Sequence, residues 1–306
     1  MKNKHPDGPW QPKINDETSL YDGYKHILTT QLQSLENQLH KQNRTTDLSP
    51  DLIHNIRVES RKLITATKLF KQITSKKLLI KIQNRAKNLM DHFGPVRNWD
   101  VFHTDCNNFN NESTVENKEL FLQGVIWANQ NRLKKNALKF LRVKGKKLAA
   151  RFLKTTSKIF TSENAPASTS FFEWCRLSLM KILDDFKTNL NTIDYSNKGL
   201  HAFRLKIKFL RYGLEIMGDA LPIEKSHSLH EALKKGQKVL GLINDLHFQI
   251  KQITLIQSSF KNQKEALIPK EETKEASFLK YCQEMLETNM GLFRSWVETT
   301  TNLIEI

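Results

Sequence analysis

Apolar side chains in this chain return every three or four residues, and little interrupts them. That period puts them on one stripe of an α-helix, whereas a half-buried strand would alternate every second residue. Tyr24, Ile27, Leu28, Leu32, Leu35 and Leu39 form one such stripe. Helix breakers are scarce: the 306 residues include 11 glycines and 8 prolines, three of them at positions 6, 9 and 12. The pattern predicts an all-α chain.

Residues 1–16 are polar and read as a loose tail. The spacing then predicts helices over 20–40, capped by Ser19 or Asp16, and over 50–72, with Ser49 as N-cap and Pro50 at the first helical position. A third helix over 76–93 is expected to stop at Gly94-Pro95. A short helix over 98–109, an Asn-rich loop over 107–117 and a long helical region over 118–160, bent at Gly145, follow. The loop-like stretch 162–170 suggests a boundary, with a first half at 17–165 and a second at 166–306. Beyond it helices are expected over 171–190, 200–217, 227–240 (stopped near Gly241), 245–262 and, after a charged loop around Pro269, 274–299.

The chain carries 48 Lys and Arg against 32 Asp and Glu, a net charge of +16. Such a balance favours polyanionic partners: nucleic acid, anionic membrane or polymeric phosphate. The three cysteines, Cys106, Cys175 and Cys282, are far apart and form no CxxC pair. A disulfide framework or structural zinc site is not expected, and a reducing compartment is. The N-terminus lacks the apolar core of a secretory signal, and the longest apolar run, near 120–128, is too short to span a bilayer. The expected location is cytoplasmic.

Leu200 to Gly218 holds His201, Arg204, Lys208 and Arg211 at spacings of three, four and three. At about 100° per residue these fall within an arc of roughly 80° on one helix face. Like charges at that spacing destabilise a helix by about 0.2–0.5 kcal/mol per pair. Such a face is either solvated or built to hold an anion. A second copy favours the anion. His54-x-x-Arg57-Val58-x-x-Arg61-x-Leu63 matches His201-x-x-Arg204-Leu205-x-x-Lys208-x-Leu210, with an offset of 201 − 54 = 147. Phe93-Gly94-x-x-Arg97-Asn98 matches Leu240-Gly241-x-x-Asn244-Asp245 at 241 − 94 = 147. Two motifs at one offset read as an internal duplication. Each half then has enough helices for a four-helix bundle, and two such bundles can pack about a pseudo-two-fold axis.

These residues resemble the two histidine-containing helices of the CHAD family, the conserved-histidine α-helical domain. Lys234, Gln237, Leu240, Gly241, Asn244 and Asp245 are similar to the family's KxxQxxLGxxND pattern, and Phe93, Gly94, Arg97, Asn98, Asp100 and Val101 to its LGxxRDxDV pattern. The resemblance runs from about residue 20 to the end. It implies two four-helix bundles with a cationic channel between them that binds inorganic polyphosphate, here as a stand-alone member without the metalloenzyme domain that often accompanies the family. Ile64 stands where the family usually has Arg, and Asn98 where it usually has Asp, so the first half is expected to contribute less.

By that resemblance the polyphosphate site comprises His54, Arg57, Arg61, Lys68, Arg97, His201, Arg204, Lys208, Arg211 and Lys234, with Lys62, Lys87 and Lys206 as weaker candidates. Arginine offers forked donors to phosphate, and lysine a movable charge. Asp245 and Asp100 are expected to orient arginines. Each histidine is expected to titrate low among cations, and either touches ligand or bonds across the bundle. No cofactor, metal or catalytic residue is expected. The expected function is non-enzymatic polyphosphate binding, with association to polyphosphate granules. The alternatives are non-specific nucleic-acid binding and service as an accessory subunit of a polyphosphate- or triphosphate-metabolising enzyme.

Overall fold

In the computed structural model, residues 17–41, 48–73, 75–112, 120–159, 170–217, 220, 223–261 and 274–304 are described. Most of these residues are helical and none forms a strand, so the fold is all-α as the periodicity requires. The expected tail 1–16, the half boundary at 165/166 and the loop around Pro269 lie outside the described residues.

The helices are α1 (Leu20–Lys41), α2 (Pro50–Leu69), α3 (Lys76–Glu112), α4 (Leu120–Phe140), a π-helical turn (Leu141–Gly145), α5 (Lys146–Ile159), α6 (Phe171–Asn191), α7 (Asn197–Met217), α8 (Ile223–Lys261) and α9 (Lys274–Ile304). Ser49 caps α2 as its sequence predicts: its hydroxyl accepts the Leu52 N–H at 3.2 Å, ahead of Pro50. The bend expected at Gly145 is the π turn that separates α4 from α5.

Two expected helix stops are overturned. α3 runs unbroken through Gly94 and Pro95, and α8 runs through Gly241. The helix expected over 98–109 is the second half of α3, and the start of the Asn-rich stretch is its last turn. Proline in a helix interior removes one hydrogen bond and crowds the preceding turn, at about 3 kcal/mol. Packing offsets this. Leu79, Ile82, Ala86, Leu89, Phe93, Val96, Trp99, Phe102 and Cys106 hold one buried stripe on both sides of the Gly-Pro pair. Leu233, Leu240, Ile243, Leu246 and Ile253 do the same across Gly241.

α1, α2 and α3 pack consecutively, with α4 and α5 against α3 and α5 also against α1. α6, α7, α8 and α9 pack consecutively, and α9 returns to α6. The main helix contacts that join these sets are α1 with α6, α2 with α7, and α3 with α8. Most of the core is one continuous apolar cluster through both sets. Phe70 of α2's C-cap stacks on Trp174 of α6 with centroids 5.0 Å apart. A second cluster joins the later turns of α3 and α8 to α4 and α9, through Trp99, Phe102, Leu122, Leu246, Ile253 and Phe278. The two clusters clamp α3 and α8 on either side of Gly94 and Gly241.

Two other glycines test this packing. A Cβ on Gly236 would lie 2.3 Å from the indole of Trp296, whose N–H donates to the Ala232 carbonyl at 2.8 Å. A Cβ on Gly291 would meet nothing within 4 Å. Both sit inside helices, where alanine is intrinsically better by about 1 kcal/mol. Gly291→Ala should therefore raise the urea midpoint. Gly236→Ala should lower it, because forcing the buried indole aside costs about 1–3 kcal/mol.

Candidate anion site

α2 packs against α7 and α3 against α8, and charged side chains from all four helices come within electrostatic reach of one another. Arg57 and Arg61 come from α2, Arg97 from α3, Arg204 and Lys208 from α7, and Asp245 from α8. Arg57 lies within electrostatic reach of Arg61, Arg204 and Arg97, with Asp245 the opposing charge. Burial, reinforced by those three guanidinium groups, pulls Arg57 down to about 10. Burial also lowers Arg61 and Arg204. The Nε of Arg204 is buried and has no hydrogen-bond partner among the described residues.

Lys208 is the deepest member, only 8% exposed. Burial first, and then Arg61, Arg204 and Arg57, push its ammonium down to about 5. Asp245 is itself pushed up by burial, against the pull of Arg204, Lys208 and Arg97. Arg57, Arg97, Arg204 and Lys208 therefore share the Asp245 carboxylate, and Asp105, within reach of Asp245 and Arg97, is likewise made reluctant to ionise by burial. That arrangement lacks negative charge, and an incoming anion would supply it.

The glycines expected to end helices do something else. A Cβ on Gly94 would lie 2.7 Å from Nη1 of Arg57, and one on Gly241 would lie 3.6 Å from Nη2 of Arg204. In each half the arginine fork rests over a bare helix backbone. The signal was present in the sequence, since both glycines and both arginines sit 147 apart, but a glycine beside a proline reads first as a stop.

The histidines stand at the rim and differ. Nδ1 of His201 is 2.9 Å from Oδ1 of Asn244. The corresponding position in the first half is Arg97, and burial, then Arg97 and Arg57, lower His54. Among the expected options, His201 thus bonds across to α8, while His54 faces cations.

Other expected site residues are placed elsewhere. Arg211 donates to Glu215 at 2.6 Å and to Gln237 at 2.9 Å and lies over the Tyr212 ring. It forms a structural ion pair, which leaves His201, Arg204 and Lys208 on the α7 stripe beside His54, Arg57 and Arg61 on that of α2. Lys234 is exposed and pairs with Glu231 at 3.4 Å. Lys68 sits at the far end of α2, 6.0 Å from the Phe209 ring centroid, with Lys87 and then Arg61 as its nearest charged influences. Lys62, a weaker candidate, reaches buried Glu215 at 3.5 Å and ties α2 to α7. The Arg211–Glu215 spacing of four could have revealed that carboxylate as an anchor. Lys206 is exposed and bonds Asn189. Asp100 orients no arginine; it accepts from Gln130 at 2.6 Å and pairs with Lys134 at 3.3 Å.

Among the described residues no three His, Cys, Asp or Glu side chains gather as a metal site. All three cysteines are free and buried. No described helix is long and apolar enough to cross a membrane.

Residues 26–253 match the CHAD domain family, and the chain belongs to it. The structure is similar to the crystal structure of the CHAD domain from the plant Ricinus communis, at 17% identity over 99% of this chain and 97% of that one, with a TM-score of 0.72. It is also similar to PptA from Streptomyces chartreusis, at 10% identity over 92% of this chain and 100% of that one, with a TM-score of 0.68. At these identities the likeness shows the fold. No curated protein matches the chain.

Two outcomes follow from this geometry. Gly94→Ala should keep the helical fold but displace the Arg57 fork and weaken sulfate or tripolyphosphate binding, whereas Gly241→Ala, with ordinary contact distance, should leave binding unchanged. Calorimetric titration of both variants decides this. Lys208 sets a pH dependence. Between about pH 5 and its ordinary value near 10.4, the unfolded chain holds a proton that the folded chain lacks, so anion-free stability should rise with pH across that window. An anion favours the charged amine, so binding at pH 8 should take up a proton and weaken as pH rises. Titrations in buffers of different ionisation enthalpy should show that uptake, and Lys208→Met should reduce it.

Proposed function

We propose that this protein binds inorganic polyphosphate, without hydrolysing it, in the cleft between α2 and α7. The observation that carries this reading is the cluster of Arg57, Arg61, Arg97, Arg204 and Lys208, in which cations outnumber the nearby carboxylates, Asp245 and Asp105, both pushed up by burial. Forked guanidinium groups from three helices suit the tetrahedral oxygens of successive phosphates. Partial burial strengthens each contact relative to an exposed basic face, and release of counterions from the polyanion adds to affinity. The repeated relation of arginine over glycine at one offset supports a duplicated origin for the two halves, with one shared anion site between them. The same reading places the protein in the cytoplasm, where it would associate with polyphosphate granules.

Polyphosphate is preferred over nucleic acid because the cations converge on one spot, where side chains of four helices come together. A duplex presents a broader surface, with phosphates spread along a wide helix. Long-chain polyphosphate should displace DNA and RNA at equal charge concentration; failure to do so would overturn the reading. Arg57→Ala combined with Arg204→Ala should reduce polyphosphate affinity by at least about tenfold and flatten its salt dependence, at about 1.5–3 kcal/mol for lost charged contacts, with the helical circular dichroism retained. Sustained phosphate release with Mg²⁺ or Mn²⁺ would sink the non-enzymatic part alone.

A further inference from the structure

The cationic stripe of α2 ends at a cavity of a different character. Between α2, α6 and α7 lies a pocket of about 350 Å³ whose mouth is marked by Lys68. Its walls are apolar, with Phe186 buried at the base and Leu205 and Phe209 along α7. Asp185 and Asn189 of α6 supply its polar edge. The volume falls within the range that small-molecule sites occupy, and a few polar groups on apolar walls are what such sites use for orientation.

A plain phosphate chain has no use for this pocket. It carries no apolar atoms to bury against these walls. Lys68 nevertheless links the pocket to the anion site. It lies seven residues beyond Arg61, two turns or about 10 Å along the helix, and the two are within electrostatic reach of each other. Its ammonium stands 6.0 Å from the Phe209 ring centroid, at the border between cationic stripe and apolar wall. A ligand that satisfies both parts has a phosphate chain at one end and a flat, largely apolar ring with N–H donors at the other.

We propose that the pocket receives the base of a nucleoside polyphosphate whose phosphates run past Lys68 toward Arg61. The ring lies among Phe186, Leu205 and Phe209. An exocyclic amine or ribose hydroxyl donates to the Asp185 carboxylate. This inference rests on the α2–α7 cleft holding phosphate chains, and it names a ligand class that a plain polyanion site does not distinguish.

The test compares adenosine 5′-tetraphosphate with inorganic tetrapolyphosphate, by calorimetric titration of the full chain at one ionic strength. Both have four phosphates, and the inorganic chain carries the extra terminal charge, so a preference for the nucleotide runs against simple electrostatics. The nucleotide should bind about tenfold tighter, in line with the gain from burying and stacking one base. Leu205 is 44% exposed, so Leu205→Trp can fill the pocket mouth without disturbing the core. That variant should erase the preference and leave tetrapolyphosphate affinity unchanged. Leu205→Gln, which removes apolar wall without adding bulk, should shrink it. Equal affinities in the wild type, or a preference that survives both substitutions, would overturn the proposal while the polyphosphate reading stands. Binding of neither ligand would overturn both.

Discussion

The structure depends on holding like charges together away from bulk water. Arg57, Arg61 and Arg204 are largely buried beside Lys208, and burial dominates the downward pull on each of them. Surface cations repel weakly because water screens them; these cannot rely on that screening. The fold supplies the free energy from elsewhere. A continuous apolar core through both helix sets fixes α2 against α7, and the second cluster through Trp99, Phe102 and Phe278 fixes the later turns of α3 and α8. Helices clamped on both sides of the cleft cannot splay to let the charges separate.

Ion pairs at the edge of the cleft divide structural cations from available ones. Glu215 gathers Lys62, Arg211 and His230, and Asp100 gathers Lys134 and Gln130. Breaking a buried pair leaves an uncompensated charge, which is strongly unfavourable, so these residues belong to the frame. What remains near the crossing is Arg57, Arg61, Arg97, Arg204 and Lys208 with Asp245. Charge number alone would have assigned Arg211 and Lys234 to the same role.

The glycines show how backbone and site are coupled. Gly94 leaves space for a guanidinium group that any Cβ would meet at 2.7 Å. The cost of glycine and proline in the interior of α3 is offset by the buried stripe on both sides, and the space gained is occupied by Arg57. A local rule is broken at the place where the site needs room, as is expected of functional positions.

The sequence by itself determined the helical class, the Ser49 cap, the bend at Gly145 and the two histidine helices, because a 3.6-residue period and capping chemistry are local properties of the chain. It also picked out Arg57, Arg61, Arg204 and Lys208, because like charges repeated on one helix face, and repeated again 147 residues later, are visible in one dimension; Arg97 came from the family resemblance alone. Only the tertiary structure decided that α3 and α8 continue through Gly94-Pro95 and Gly241, since the packing that overrides those breakers comes from other helices. It alone gave Arg211 to Glu215, Lys62 to the α2–α7 seam and Asp100 to Lys134, because the partner of a charged side chain depends on distances between elements far apart in sequence. Periodicity says which face a residue occupies; packing decides what that face meets.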